Sequence, residues 1–230
     1  MPDALTTSTD SQDGEFHAAG SPAPGAVLRK RPKPGERRVQ ILQALASMLE
    51  QPGGDRITTA ALAGRLAVSE AALYRHFASK AQMFEGLIEF IEQTVFSLVN
   101  QIVEREQATP SGGAPDAGRR QVARIVVMLV QFVEKNPGMA RVMVGDALVF
   151  ENERLQQRMN QFFDKIEATF RQCLRSEDPA AVSATPTLDA QVQASVLSAF
   201  VAGRLQRFVR SGYKRLPSEH LDASLHLLLG

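Results

Sequence analysis

The chain has 230 residues, 44% of them hydrophobic and 22% charged, which suits one large helical domain or a small head on a larger body and does not suit a disordered chain. A single cysteine, Cys173, excludes an internal disulfide and a thiolate zinc cluster, so a reducing compartment fits best. No window approaches the roughly 18 consecutive apolar residues that a spanning helix needs, and the start MPDALTTSTDSQDGE is acidic and polar, so neither export nor membrane insertion is expected.

The net charge of +1 is unevenly spread. Residues 1–28 hold four acids (Asp3, Asp10, Asp13 and Glu15) and no Lys or Arg, whereas residues 29–80 hold ten Lys and Arg against four acids. A basic segment beside a near-neutral body fits a DNA-binding head joined to a separate functional domain, although basic runs also serve solubility alone.

In chain order, residues 1–35 are rich in Ser, Thr, Pro, Gly and Ala and read as a disordered leader ending in the basic arm RKRPKPGERR. Apolar spacing then predicts helices over 36–50, 58–66, 69–77, 79–106 and 117–135, separated by punctuation such as QPGG and TPSGGAP. Val39, Leu42, Leu45, Ala46 and Leu49 form the stripe of the first. Asn136, Pro137 and Gly138 end the fifth, and further helices are expected over 139–149, 152–176 and 187–211, the last two flanking the loop EDPAAVSATPT, with a short one near the C-terminus. No run shows the β-branched alternation of a strand, so the expected class is all-α.

The chemistry lies in ITTAALAGRLAVSEAALYRHFASK, residues 57–80. Two short helices each open with a capping hydroxyl, Thr58 or Thr59 for the first and Ser69 for the second, and a turn of three or four residues joins them. Leu62, Ala63, Leu66, Val68 and Leu73 supply an apolar seam against the first long helix. The second short helix presents Ser69, Glu70, Ala71, Ala72, Tyr74 and Arg75 from its N-terminal end, as a helix reading a major groove does. This is a helix-turn-helix.

Leu73-Tyr74-Arg75-His76-Phe77 followed by Ser79-Lys80, with Thr58-Thr59 and Val68-Ser69, resembles the TetR family of regulators. The resemblance implies a three-helix head at 36–80, a helical dimerisation and partner-binding body at 81–230, and a homodimer on a near-palindromic double-stranded DNA site. It also implies phosphate contacts from Thr58, Tyr74, His76 and Lys80, with Ala71 and Ala72 shaping the contact to base edges. One departure is Ala67, at a turn position usually filled by glycine. If that position needs a positive φ, alanine costs roughly 1 kcal/mol there. For the homodimer, Leu155, Met159, Phe162 and Ile166, with Val192, Val196, Leu197 and Phe200, are candidate stripes of an intersubunit bundle.

Likeness extends past the head. SEAALYRHFASKAQMFEGLIEFIE, EKNPGMARVMVGDALVFENERLQQRMNQFF and RFVRSGYK resemble the nucleoid occlusion branch of that family, the SlmA proteins. That resemblance implies a cytoplasmic, nucleoid-associated protein that, bound to DNA, antagonises FtsZ through its C-terminal tail. It places partner contacts at Phe90 and Asn136; Lys135, beside Asn136, is either a contact for acidic side chains of the tail or equally a solvated helix end. Independently, Phe84, Ile88, Ile91, Val95, Leu98 and Ile102 form a buried stripe from which Phe90 departs by roughly 120°, leaving it as a second packing contact or an exposed anchor.

The competing account is a TetR-type repressor released from its operator by a small effector, with the apolar stretch Ile125 to Val133 lining a pocket or filling a core. An enzyme fits poorly. The histidines at 17, 76, 220 and 226 are scattered and lack metal-ligand spacing, Cys173 has no evident base, and one solvated face explains Glu85, Glu89 and Glu92. No cofactor is expected.

Overall fold

The computed structural model describes residues 35–51, 57–108, 116–175 and 186–230. The expected leader, most of its basic arm, and most of the QPGG, TPSGGAP and EDPAAVSATPT connections lie outside the described residues. Among the described residues every regular element is helical: α1 (Glu36–Leu49), α2 (Thr59–Arg65), α3 (Glu70–Tyr74), α4 (Lys80–Gln107), α5 (Ala117–Lys135), α6 (Pro137–Met143), a 3-10 turn (Asp146–Leu148), α7 (Glu153–Arg175), α8 (Pro186–Arg210) and α9 (Leu221–Leu229). No described helix is long and apolar enough to cross a membrane.

Two helices are shorter than their apolar spacing suggests. The run 69–77 is helical only over Glu70–Tyr74, because the His76 and Phe77 amides both fold back on the Leu73 carbonyl and Ser79 then caps α4. The run 139–149 divides where Gly145 takes φ 79°, and α6 already begins at Pro137, whose missing N–H is harmless in the first helical turn.

Leu45, Ala46 and Leu49 of the expected α1 stripe are buried and are joined by Ile41, while Leu42 is partly buried against the core and Val39, in the first turn, is exposed. In α4 the core residues are Met83, Phe84, Leu87, Ile88, Ile91, Val95 and Val99, while Leu98 is only half-buried. Met83 and Leu87 turn inward because α1 covers the first turns of α4, widening the buried face there. On α5, Ile125, Val126, Leu129, Val130 and Val133 are fully buried.

The stripes expected to bridge subunits mostly pack within the chain. Leu155, Met159, Phe162 and Ile166 of α7 and Leu197 of α8 are buried, with Phe162 edge-on to Phe96 and Phe163 at 5.5 and 5.3 Å. Phe200 is partly buried under the Arg204 guanidinium, 4.5 Å from its ring centroid. Periodicity identifies an apolar face but not its partner. Val192 and Val196 do remain exposed, on the side of α8 that also carries exposed Ala199 and Gly203.

The body seals the head at the C-terminus of α1. The Leu49 carbonyl accepts from Arg141 Nη1 (3.3 Å) and from the Tyr213 hydroxyl (3.2 Å), and the Gln51 carbonyl accepts from Arg141 at 3.4 Å. These donors satisfy carbonyls that a helix end leaves without intrahelical partners, and Arg141 adds the favourable charge. Burial pushes the Tyr213 hydroxyl above its ordinary range, so it stays a donor.

Candidate nucleic-acid interface

α2 and α3 are too short to persist alone and are fixed by caps and cross-links. Thr58 Oγ accepts from the Ala61 amide (3.1 Å), Ser69 Oγ from Ala72 (3.3 Å) and Ser79 Oγ from Gln82 (3.1 Å), so each helix of the motif begins on a hydroxyl cap. The α2 end is a Schellman turn, with the Val68 amide on the Ala63 carbonyl and the Ala67 amide on the Gly64 carbonyl, both at 3.1 Å. Its left-handed position is Ala67, at φ 51°. The strain anticipated from sequence is therefore present. Ala67→Gly should raise the unfolding free energy by about 1 kcal/mol, read as a higher melting temperature, and an unchanged midpoint would show that the turn has absorbed the methyl group.

Leu62, Ala63 and Leu73 are buried between the two helices, and Leu66 and Val68 pack at the edge of the core. Thr59 Oγ donates to a Glu70 carboxylate oxygen across the motif, and the Tyr74 hydroxyl lies 3.5 Å from Thr59 Oγ. Arg65 donates to Ser47 Oγ at 2.9 Å, tying α2 to α1. Phe77 is buried beneath the Arg38 guanidinium, which stands 4.1 Å from the ring centroid while its Nη1 donates to the His76 carbonyl. Arg38 was grouped with the arm in the sequence; here it clamps the end of the reading helix.

The expected DNA-facing residues divide into two groups. Thr58, Ser69, Ala71, Tyr74 (44% exposed) and Arg75 are open to solvent on the α2–α3 surface. Thr59, Ala72, His76 and Lys80 are partly buried. Lys80 is already paired, its ammonium 2.5 Å from Glu151 Oε1 and 5.6 Å from the Phe84 ring centroid. Its side chain is 19% exposed and that of Glu151 only 9%.

Further along α4, Phe90 is 45% exposed. It lies one turn beyond Gly86, whose face meets Phe77 and Leu42 of the head. Lys135, at the end of α5, is exposed, whereas Asn136 is half-buried with its Nδ2 donating to the Phe132 carbonyl at 2.7 Å. Asn136 thus closes α5 as well as standing at the α5–α6 joint. The acidic face of α4 is not simply solvated: Glu85 pairs with Arg154 (3.3 Å) and Glu92 with Arg158 (2.7 Å), while Glu89 accepts from Gln93. Cys173 is buried and its thiol is pushed up to about 11 by desolvation, which keeps it protonated and unreactive. Among the described residues no group of His, Cys, Asp and Glu is placed to hold a metal.

Residues 41–87 match the model of bacterial regulatory proteins of the tetR family, and residues 119–230 match the SlmA-like, tetracyclin repressor-like C-terminal domain. The nucleoid occlusion factor SlmA of Idiomarina loihiensis is 47% identical over 192 residues, 84% of this chain and 93% of its own. The SlmA of Aliivibrio fischeri is 48% identical over 198 residues, covering 86% and 96%, and that of Vibrio cholerae 47% over 193 residues, covering 84% and 93%. The chain belongs to the SlmA family of TetR-type DNA-binding regulators. The transcriptional regulator FadR of Bacillus subtilis, solved in complex with stearoyl-CoA, superposes with a TM-score of 0.63 over 84% of this chain and 97% of its own at 14% identity, a likeness of fold alone.

Two side-chain contacts of the candidate interface, Thr59 with Glu70 and Lys80 with Glu151, are absent from the sequence reading, for different reasons. Glu70 follows the Ser69 cap and its acceptor role toward Thr59 is within reach of local reasoning. Glu151 lies 71 residues from Lys80, and no spacing rule connects them.

Proposed function

We propose that this protein is a sequence-specific DNA-binding nucleoid occlusion factor which, bound as a homodimer to near-palindromic chromosomal sites, captures the C-terminal tail of FtsZ and blocks Z-ring assembly over the nucleoid. It would act in the cytoplasm, on the nucleoid. The observation carrying this reading is that 47–48% identity to nucleoid occlusion factors runs through 93–96% of their length, body included. TetR-type bodies diverge with the effector or partner they serve, so a shared body argues for a shared partner. Exposed Phe90, exposed Lys135 and the half-buried Asn136 supply an aromatic anchor, a cation and an amide for a peptide.

The dimer is supported by the exposed Val192, Val196, Ala199 and Gly203 of α8, of which Ala199 and Gly203 line a groove of about 740 Å³ whose other wall includes Val149, Met159 and Phe163. For the effector-released repressor, the stretch Ile125–Val133 divides: Ile125, Val126, Leu129, Val130 and Val133 are fully buried and fill the core, whereas Val127 and Met128 line an open surface pocket of about 340 Å³ with Leu225 of α9.

On DNA, Thr58, Tyr74, His76 and Lys80 hold phosphates and Ala71 and Ala72 face bases. Lys80→Met should weaken specific and non-specific duplexes alike and reduce the slope of log K against log salt by about 0.9, one phosphate contact. An unchanged slope would remove Lys80 from the interface. The function is tested by sedimenting FtsZ polymers with the protein alone and with the protein on its DNA site: polymer should fall in the DNA-bound arm. Polymer unchanged in both arms would contradict antagonism.

A further inference from the structure

Lys80 opens α4 at the edge of the reading head, yet its charge is spent on Glu151, in the segment between the 3-10 turn and α7. Glu151 and its neighbours form the first rung of a ladder down α4 and α7, continued by Glu85 with Arg154 and Glu92 with Arg158. The upper rungs pair residues of the body with each other; the first pairs the body with the head. A phosphate at Lys80 must therefore take the ammonium from a carboxylate that is 9% exposed, and a carboxylate left unpaired at that depth is expensive unless it moves out to water. The flanking Val149 and Phe150 are exposed, and the Glu151 amide is held by one bond, to the Leu148 carbonyl at 3.0 Å.

We infer that Glu151 sets the affinity of the head for DNA: it competes with a backbone phosphate for Lys80, and DNA occupancy releases the 149–152 segment of the body. This rests on the assignment of Lys80 as a phosphate contact. The head and the body then share one cation, and whichever anion holds it decides whether the segment before α7 is docked.

The test measures duplex binding by full-length wild type, Glu151→Gln, Lys80→Met and the double variant, with Glu153→Gln as a control that removes the same charge from an exposed site two residues away. Glu151→Gln is expected to bind about three- to tenfold more tightly, the range of a partly buried ion pair, while Glu153→Gln changes little and the gain vanishes in the Lys80→Met background. Hydrogen exchange of the Glu151 amide should rise when wild type binds DNA and should not respond to DNA in Glu151→Gln. Melting of each variant reports folding. If Glu151→Gln does not fold, Glu151→Asp, whose shorter reach weakens the pair, must show the same tightening. Should Lys80→Met leave DNA affinity unchanged, the phosphate assignment fails and the proposal with it. If Lys80→Met weakens binding but Glu151→Gln does not tighten it, or tightens it no more than Glu153→Gln, the competition is overturned while the phosphate contact stands.

Discussion

Gly138→Ala is expected to lower the unfolding free energy by about 3 kcal/mol or more, the upper end of what overpacking does, because the added Cβ would stand 2.0 Å from the carbonyl oxygen of Ala46. That oxygen belongs to α1 backbone and cannot step aside as a side-chain tip could. α6 would have to lift from α1, and with it Arg141, which caps the α1 carbonyls. Gly64→Ala provides the contrast: its Cβ would meet nothing within 4 Å, and replacing a helical glycine should stabilise by about 0.5–1 kcal/mol. Thermal melting of the two variants checks both. If Gly138→Ala melts like wild type, the α1–α6 approach is looser than described.

What the sequence made legible followed from local physics. Ser and Thr caps, Gly and Pro breaks and apolar period located the helices, and the caps at Thr58 or Thr59 and at Ser69 placed the reading head because each acts within three residues of itself. Phe90 was also legible, since an angle from a stripe is a local quantity. The failures concern partners at long range. The stripe of α7 predicted a buried face correctly but not that α5 and α8 of the same chain would cover it. Arg38 was one cation among several in the basic arm until the fold set it over Phe77, and Lys80 read as a free phosphate ligand until Glu151 arrived beside it. Asn136 was singled out for a partner, and its amide proves also to close α5.

Phe90→Ala should separate the two activities. With the ring 45% exposed, truncation removes only part of a phenylalanine's burial and should cost about 1 kcal/mol of stability, against about 3–5 kcal/mol for Phe84→Ala in the core. Residues 58–80 are untouched, so DNA binding and dimerisation should persist. Loss of an aromatic anchor at the centre of a peptide site is worth about 2 kcal/mol or more, roughly a thirtyfold loss of affinity. If Phe90→Ala melts many degrees early and loses DNA binding as well, the side chain is a packing residue and the peptide site lies elsewhere. The most direct measurement is titration of a fluorescent FtsZ C-terminal tail peptide into the DNA-bound dimer, wild type against Phe90→Ala. The account predicts saturable binding to wild type and roughly thirtyfold weaker binding to the variant; a DNA-bound wild-type protein that ignores the peptide would contradict it.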